Sequence, residues 1–224
     1  MCGRYTLSST PARINVRFEV AIDPDWKPSY NVAPGTDILI VHADASRGGR
    51  IGEAAYWGLT PSWFNPGKPG PRPINARAEG LAGKPMFRNA FAKRRCIVPA
   101  DGFYEWKALG RGKQPWLIRR RDGDVFGFAG IFETGNENTG NRPSCAIVTT
   151  SANTLMQPIH DRMPVILHAD DYAAWLDPEQ PQTTTLERLL RPCPPDDLVA
   201  FAVSTRVNNT KNNDEALILP VDEA

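Results

Sequence analysis

The residue with the most distinctive latent chemistry in this chain is a cysteine directly behind the initiator methionine, in the opening MCGRY. Removal of Met1, which a small second side chain favours, would leave Cys2 with a free α-amine and a thiol on adjacent carbons. No internal cysteine offers that pair. The amine has a reference pKa of about 7.7–8.0 and the thiol about 8.5, so near neutrality part of each is nucleophilic. A 1,2-aminothiol condenses with an aldehyde to a Schiff base, which the sulfur then closes into a five-membered thiazolidine. That second attack is intramolecular and gains the effective molarity of a tethered reaction. The chemistry points to a carbonyl substrate, against the plain alternative of a cysteine that follows methionine by chance.

Other residues could support such chemistry. Glu105 lies in FYEWK, between Tyr104 and Trp106 and after an Asp101-Gly102 turn. On a strand, Phe103, Glu105 and Lys107 share one face and the two aromatics the other. Desolvation there would raise the carboxyl toward the working range of a general acid or base; an ion pair with a nearby arginine is the competing reading. His160 stands in QPIHDRMPVIL with Asp161 and Arg162 beside it. It suits a proton shuttle or a phosphate ligand, or else a cap or core position. Asn75 and Arg77, in PINARAE, alternate on one face of an extended segment with small Ala76 and Ala78 between them. Asparagine donates and accepts at once, and arginine grips phosphate through two nitrogens.

The elements that must hold these residues read as β-rich. Thr10-Pro11 predicts an N-cap and first helical position, with a helix from Pro11 to about Glu19. Residues 23–36 hold three prolines and read as extended chain, with YNVAPG as a rigid loop. Strands are expected at Ile38–Val41, Arg50–Leu59, Cys96–Val98, Phe103–Lys107, Trp116–Arg120, Val125–Phe132 and Ser144–Thr150, then at Val165–Leu167, Leu198–Val203 and Leu217–Leu219. Short helices are expected at Pro85–Arg95, Ser151–Gln157, Asp170–Leu176 and Thr184–Leu190, the first closed by Lys93-Arg94-Arg95 where the helix dipole favours cations. A proline- and glycine-rich loop, Pro61 to Pro73, carries Trp63 and Phe64, aromatics placed for a partner. The expectation is one α+β domain over residues 1–224, with a strongly bent or barrel-like antiparallel sheet and short peripheral helices.

Composition narrows the function. The 224 residues have 41% apolar content, lack a long apolar run or a signal-peptide pattern, and predict a protein that stays in the cytosol, off the membrane. Four scattered cysteines, Cys2, Cys96, Cys145 and Cys193, support neither a zinc site nor a disulfide framework. No phosphate-binding glycine loop, dinucleotide turn or nucleophile elbow is present, so no cofactor is implied. Net charge is only +1, yet residues 72–119 hold eleven Lys or Arg against three acids, and residues 161–224 five against twelve. Such asymmetry suits one phosphate-attracting face on a nearly neutral molecule, with a merely solvated surface as the alternative.

In order along the chain, MCGRY, YNVAPG, WGLTPSWF, INARAE, ADGFYEWK and HDRMP, followed by VNNTKNND, resemble the SOS-response-associated peptidase family, also called abasic-site processing proteins. The resemblance implies a protein that recognises abasic sites in single-stranded DNA and shields them through a thiazolidine on the N-terminal cysteine, with associated lyase and self-processing peptidase activity. It makes Cys2 that cysteine, Asn75 the residue positioning its amine and the sugar, Glu105 the general acid/base, and His160 the proton donor. Arg4, Arg77 and Arg162 match phosphate-contacting positions. Trp63 and Phe64 match an aromatic pair that stacks on bases, Phe64 standing where some relatives have Trp, and Trp106 joins these DNA-contacting residues. A monomer is expected, nucleoid-associated in a bacterium. Two other classes stay open: an N-terminal-nucleophile hydrolase in which only the thiol attacks an amide, and a nucleic-acid-binding module with an inert Cys2.

Overall fold

A computed structural model describes residues 2–44, 48–61, 63, 70–110, 112–135, 139–180 and 183–222. In chain order the elements are β1 (Tyr5–Leu7), α1 (Pro11–Phe18), β2 (Ser29–Val32), β3 (Asp37–Ala43), β4 (Arg50–Trp57), β5 (Asn75–Arg77), α2 (Arg88–Lys93), β6 (Arg95–Ala100), β7 (Gly102–Leu109), β8 (Gly112–Arg120), β9 (Phe126–Glu133) and β10 (Ser144–Ser151). β11 (Arg162–Pro164), β12 (Ile166–Leu167), α3 (Tyr172–Leu176), α4 (Thr183–Leu189) and β13 (Leu198–Ala202) complete them. This is the β-rich α+β domain expected from the residue pattern.

The bent sheet closes on itself. β3 pairs antiparallel with β4 and meets β6 at Val41 and Ile97; β6 pairs with β9, β9 with β10, and β10 runs parallel to β4 through Ser144 opposite Tyr56. These five strands form a ring whose two faces are both buried, Leu39, Ile97 and Ile131 on one and Trp57 and Ile147 on the other. Close approach beside β6, α1 and α3 needs glycine: a Cβ on Gly127 of β9 would collide with the Ile97 side chain and crowd Phe18 and Tyr172. The expected sheet was antiparallel throughout; here β10 also has parallel partners, because two short strands, β4 and then β5, share one of its edges. Its other edge carries β9 at residues 144–147 and β11 at residues 149–151.

A second, antiparallel sheet has the order β13-β8-β7-β1-β2. One of its faces contributes Tyr5, Leu7, Phe103, Ile118 and Leu198 to the main core. The opposite face carries Tyr104 and Leu117 into a smaller core with Val203, Val207 and Leu217, against which Tyr30 and Trp106 pack. The alternation expected along FYEWK is therefore present, with both faces covered. The cover is the carboxy-terminal segment, tied down by Asn31: its Nδ2 lies 2.8–3.3 Å from the carbonyls of Val207, Asn209 and Asn212, and its Oδ1 accepts from Arg4 Nη1 at 2.8 Å.

The helix at Pro11 forms as its signals predict. Thr10 Oγ1 accepts from Arg13 N–H at 3.4 Å, Ile14 and Phe18 are its buried stripe, and Glu19 ends it in the left-handed region. Other expectations need correction. Ser151–Gln157 is a run of turns after the end of β10, because Asn153 Oδ1 takes the Met156 N–H and Pro158 blocks helical propagation. Leu217–Leu219 is not a strand: Glu215–Ile218 forms a short 3-10 turn capped by Asp214, leaving one bridge between Val203 and Pro220. Conversely, β2 and β11 lie where extended or connecting chain was read; both are short edge segments, β2 pairing with β1 and β11 with β10.

Asn31 is 5% exposed, donates to three carbonyls and accepts from the Arg4 guanidinium, so Asn31→Ala removes this set of hydrogen bonds at once. We expect a loss of about 2–4 kcal/mol in urea denaturation, together with faster proteolytic cutting beyond Val203.

Candidate functional site

The amino-terminal segment is held as a strand. Tyr5 pairs with Phe103 and Thr6 with Gly102 on β7, and the Tyr104 N–H donates to the Arg4 carbonyl at 2.9 Å. Continuing that register brings Gly3 opposite Glu105, so β1 delivers Cys2 to the part of β7 that carries the carboxylate. From the other side, Asn75 at the start of β5 donates from Nδ2 to the Cys2 carbonyl at 2.9 Å. Its Oδ1 is buried and has no hydrogen-bond partner among the described residues. An acceptor is thereby held ready beside the Cys2 backbone.

β10 is the spine linking Asn75 to the His160 region. Ile147 pairs with Asn75 and Thr149 with Arg77 on β5, while Thr149, Thr150 and Ser151 pair with Pro164, Met163 and Arg162 on β11. Ahead of β11 the chain is clamped: Ile159 and His160 N–H groups donate to Met156 O at 2.8 and 2.9 Å, and Ala152 N–H to Asp161 O at 3.0 Å. His160 is thus fixed on a tight turn, its side chain 26% exposed. Nδ1 accepts from the Arg162 N–H at 3.0 Å and lies 2.9 Å from Asp161 Oδ1.

Electrostatics tie these groups together. Glu105 is 2% exposed, and burial pushes its carboxyl up to about 7; the positive charge of the chain's amino terminus opposes the rise, Asp161 adds to it, and Lys113 opposes it. Burial lowers the pKa of the His160 imidazole, the amino-terminal charge and Lys113 act the same way, and Asp161 resists. Cys2 is fully buried in the main core. Burial, with Glu105 adding, pushes its thiol well above the ordinary range. The sequence reading treats Cys2 as a ready thiolate source; its location in the core, where the N-terminal strand meets the barrel, keeps the sulfur protonated. Cys2, Asn75, Glu105 and His160 come from four distant stretches of chain; Asn75 bonds the Cys2 backbone, and the amino-terminal charge acts on both Glu105 and His160. Cavities of about 680 Å³ beside Cys193 and about 520 Å³ beside Trp26 are lined by other residues.

The residues expected to hold nucleic acid divide. Arg77 is exposed on β5, and Trp63 is 63% exposed. Phe64 lies outside the described residues. Arg4 sits 5.8 Å over the Trp106 ring and donates from Nη1 to Asn31 Oδ1 and Val207 O, while the Trp106 indole N–H donates to Asn208 Oδ1 at 2.7 Å. Arg162 grips Glu79 through two nitrogens at 2.7 and 2.8 Å and donates to Thr149 O. Sequence reasoning missed Glu79 as this partner, although it closes the INARAE motif, and Lys113, whose signal was its place in the basic hairpin before Trp116. Asp161 was noticed only as a neighbour.

Fold and site define a closed β-barrel protein whose amino-terminal strand lies along the strand that carries a buried carboxyl. The family model described as SOS response associated peptidase matches residues 1–210, and the chain belongs to that family. Abasic site processing protein YoqW of Bacillus subtilis is 44% identical over 223 residues, covering 97% of this chain and 99% of the relative. YedK of Escherichia coli, likewise called an abasic site processing protein, is 33% identical, covering 99% of this chain and all of the relative. A crystal structure of a protein from Bacteroides thetaiotaomicron superposes with a TM-score of 0.86 at 25% identity, covering 98% of this chain and all of that one.

The raised Glu105 carboxyl has a stability consequence. Between its ordinary value of 4.5 and about 7, the folded chain keeps a proton that the unfolded chain has lost, so stability falls as pH rises through that window. Glu105→Gln removes the fall. In calorimetric melts the variant should gain a few degrees over the native chain near pH ~8 and show no gain near pH ~4.5.

Proposed function

We propose that this protein processes abasic sites in single-stranded DNA, capturing the lesion covalently on Cys2 once Met1 has been removed. The carrying observation is the docking of the amino terminus: Asn75 grips the Cys2 carbonyl while presenting an unoccupied Oδ1, next to a Glu105 carboxyl poised at about 7. Family membership and relatives named abasic site processing proteins support the same substrate.

The steps follow from the groups present. The ring-opened abasic sugar offers an aldehyde at C1′. The Cys2 amine, held by Asn75, adds to it, and the nitrogen loses one proton as the oxygen gains one. A second proton, from His160 or protonated Glu105, lets the hydroxyl leave as water and yields the iminium. The Cys2 sulfur then bonds to C1′ as its proton passes to whichever of His160 and Glu105 gave up the second proton, closing the thiazolidine; the net change is aldehyde plus aminothiol giving ring plus water. An acid near 7 is matched to both directions of transfer at neutral pH. If the sulfur does not close, loss of a C2′ proton from the iminium expels the 3′ phosphate, which is lyase activity. The same acid and base would serve hydrolysis of the bond that joins Met1 to Cys2. Arg77 and Trp63, both exposed, are the first groups to meet phosphate and base.

The thiol-only hydrolase is less well supported, because it needs a thiolate and burial keeps the Cys2 sulfur protonated. Amine-first capture needs the thiol only after the amine has tethered the substrate.

Intact-mass measurement of the purified protein, before and after incubation with an abasic single-stranded oligonucleotide, tests the proposal. The expected result is a chain lacking Met1 that gains the oligonucleotide mass minus one water. Cys2→Ser should lose the heat-stable adduct and keep a borohydride-trappable Schiff base. A native chain that lacks Met1 and yields no adduct would refute the reading.

A further inference from the structure

Within the proposed chemistry, the geometry points to Asp161 as a positioning residue that selects the proton state of His160. The argument starts from one nitrogen with two neighbours. His160 Nδ1 lies 3.0 Å from the Arg162 N–H and 2.9 Å from Asp161 Oδ1. These contacts demand opposite states of the ring. Nδ1 must carry a lone pair to accept from the amide, and a proton to donate to the carboxylate.

The consequences appear at the other nitrogen. When the Arg162 amide holds a bare Nδ1, the neutral ring carries its proton on Nε2 and has no basic nitrogen left. When Asp161 holds Nδ1–H, two states are open: the imidazolium, able to give up the Nε2 proton, and the neutral ring left afterwards, whose Nε2 lone pair can take a proton back. A residue that first protonates a departing hydroxyl and later receives the thiol's proton needs this second pair of states. One proton leaves Nε2 for the hydroxyl oxygen and one returns from sulfur, with no other co-reactant.

The clamp on the turn makes the competition a local one. The backbone of Asp161 is fixed by its carbonyl's bond to Ala152 N–H, and that of Arg162 by pairing with Ser151. Only a side-chain rotation of Asp161, 86% exposed, is needed to favour one partner over the other. The charged groups acting on His160 are Asp161, Lys113 and the amino terminus, and Arg162 beside it is bound to Glu79. Of these, Asp161 is the acid acting on both His160 and Glu105. A solvent-exposed carboxylate is also an unfavourable group on a surface meant for a polyanion unless it serves the chemistry.

Asp161→Asn is the test, read first by NMR titration of the His160 imidazole nitrogens in the free protein. Removing the charge should lower the His160 pKa by about half a unit and move the ring toward the Nε2–H tautomer. The pH profile of crosslinking to an abasic oligonucleotide should shift to lower pH by a similar amount, with Asp161→Glu restoring much of it. Because the carboxylate is exposed, the shift should shrink in about 0.5 M salt, which a purely structural effect would not do. An unchanged His160 titration and crosslinking profile, in a variant that melts like the native chain, would overturn the proposal. If the native chain forms no crosslink at all, the proposed function fails, while the imidazole titration still decides whether Asp161 governs His160.

Discussion

The pairing of β1 with β7 is the constraint on which the site depends. A chain terminus has the most conformational freedom in a protein, and ordering it carries an entropic cost for each residue fixed. Here the cost is met by backbone bonds from Thr6 and Arg4 to β7, by Tyr5 and Leu7 entering the barrel core, and by the Arg4 guanidinium engaging Asn31 and Val207. Because the anchor begins at residue 4, the two residues ahead of it extend along β7 toward Glu105. The carboxy-terminal segment takes part, since it covers the Tyr104 face of the sheet while Phe103 and Glu105 face the other way. Both ends of the chain thus converge on one strand.

Burial then sets the chemistry. The same desolvation raises Glu105, lowers His160 and raises the Cys2 thiol, because in each case it disfavours the charged form. The result is a set of neutral groups in close proximity, each able to exchange a proton without first shedding a tightly held charge. A water-exposed cluster of these residues would rest as carboxylate, with a carboxyl too acidic to protonate a departing hydroxyl at neutral pH.

Much of this was legible in the chain before its fold. The helix at Pro11, the barrel strands, and the residues Cys2, Asn75, Glu105 and His160 are marked by local signals: a cap and proline, β-branched runs, and polar side chains set among aromatic or small ones. What stayed hidden is long-range. The charge count over residues 72–119 suggests a basic face, yet Arg95 is 3% exposed and holds the carbonyls of Phe91, Ala92 and Trp175, and Arg94 pairs with Glu133 at 2.8 Å. Composition cannot distinguish a cation that ends a helix from one that meets a ligand. Nor can it show that Arg162 faces Glu79, 83 residues away, or that VNNTKNND serves as the cover for a sheet. The parallel join of β10 with β4 was equally invisible, since parallel partners need no turn signal between them.

The amine and the carboxyl should also be considered as one titrating pair. Loss of Met1 transfers the terminal charge to the Cys2 nitrogen, whose carbonyl is already held by Asn75. Burial raises the Glu105 carboxyl toward the range in which an amine titrates, which lowers the cost of moving the proton from ammonium to carboxylate. The neutral pair, amine and carboxylic acid, is the form in which nitrogen attacks and the acid donates. With Glu105 at its ordinary value of 4.5, the same transfer would cost more and the neutral pair would be rarer. Burial of Glu105, a result of strand packing, would thus also favour the amine-first capture proposed above.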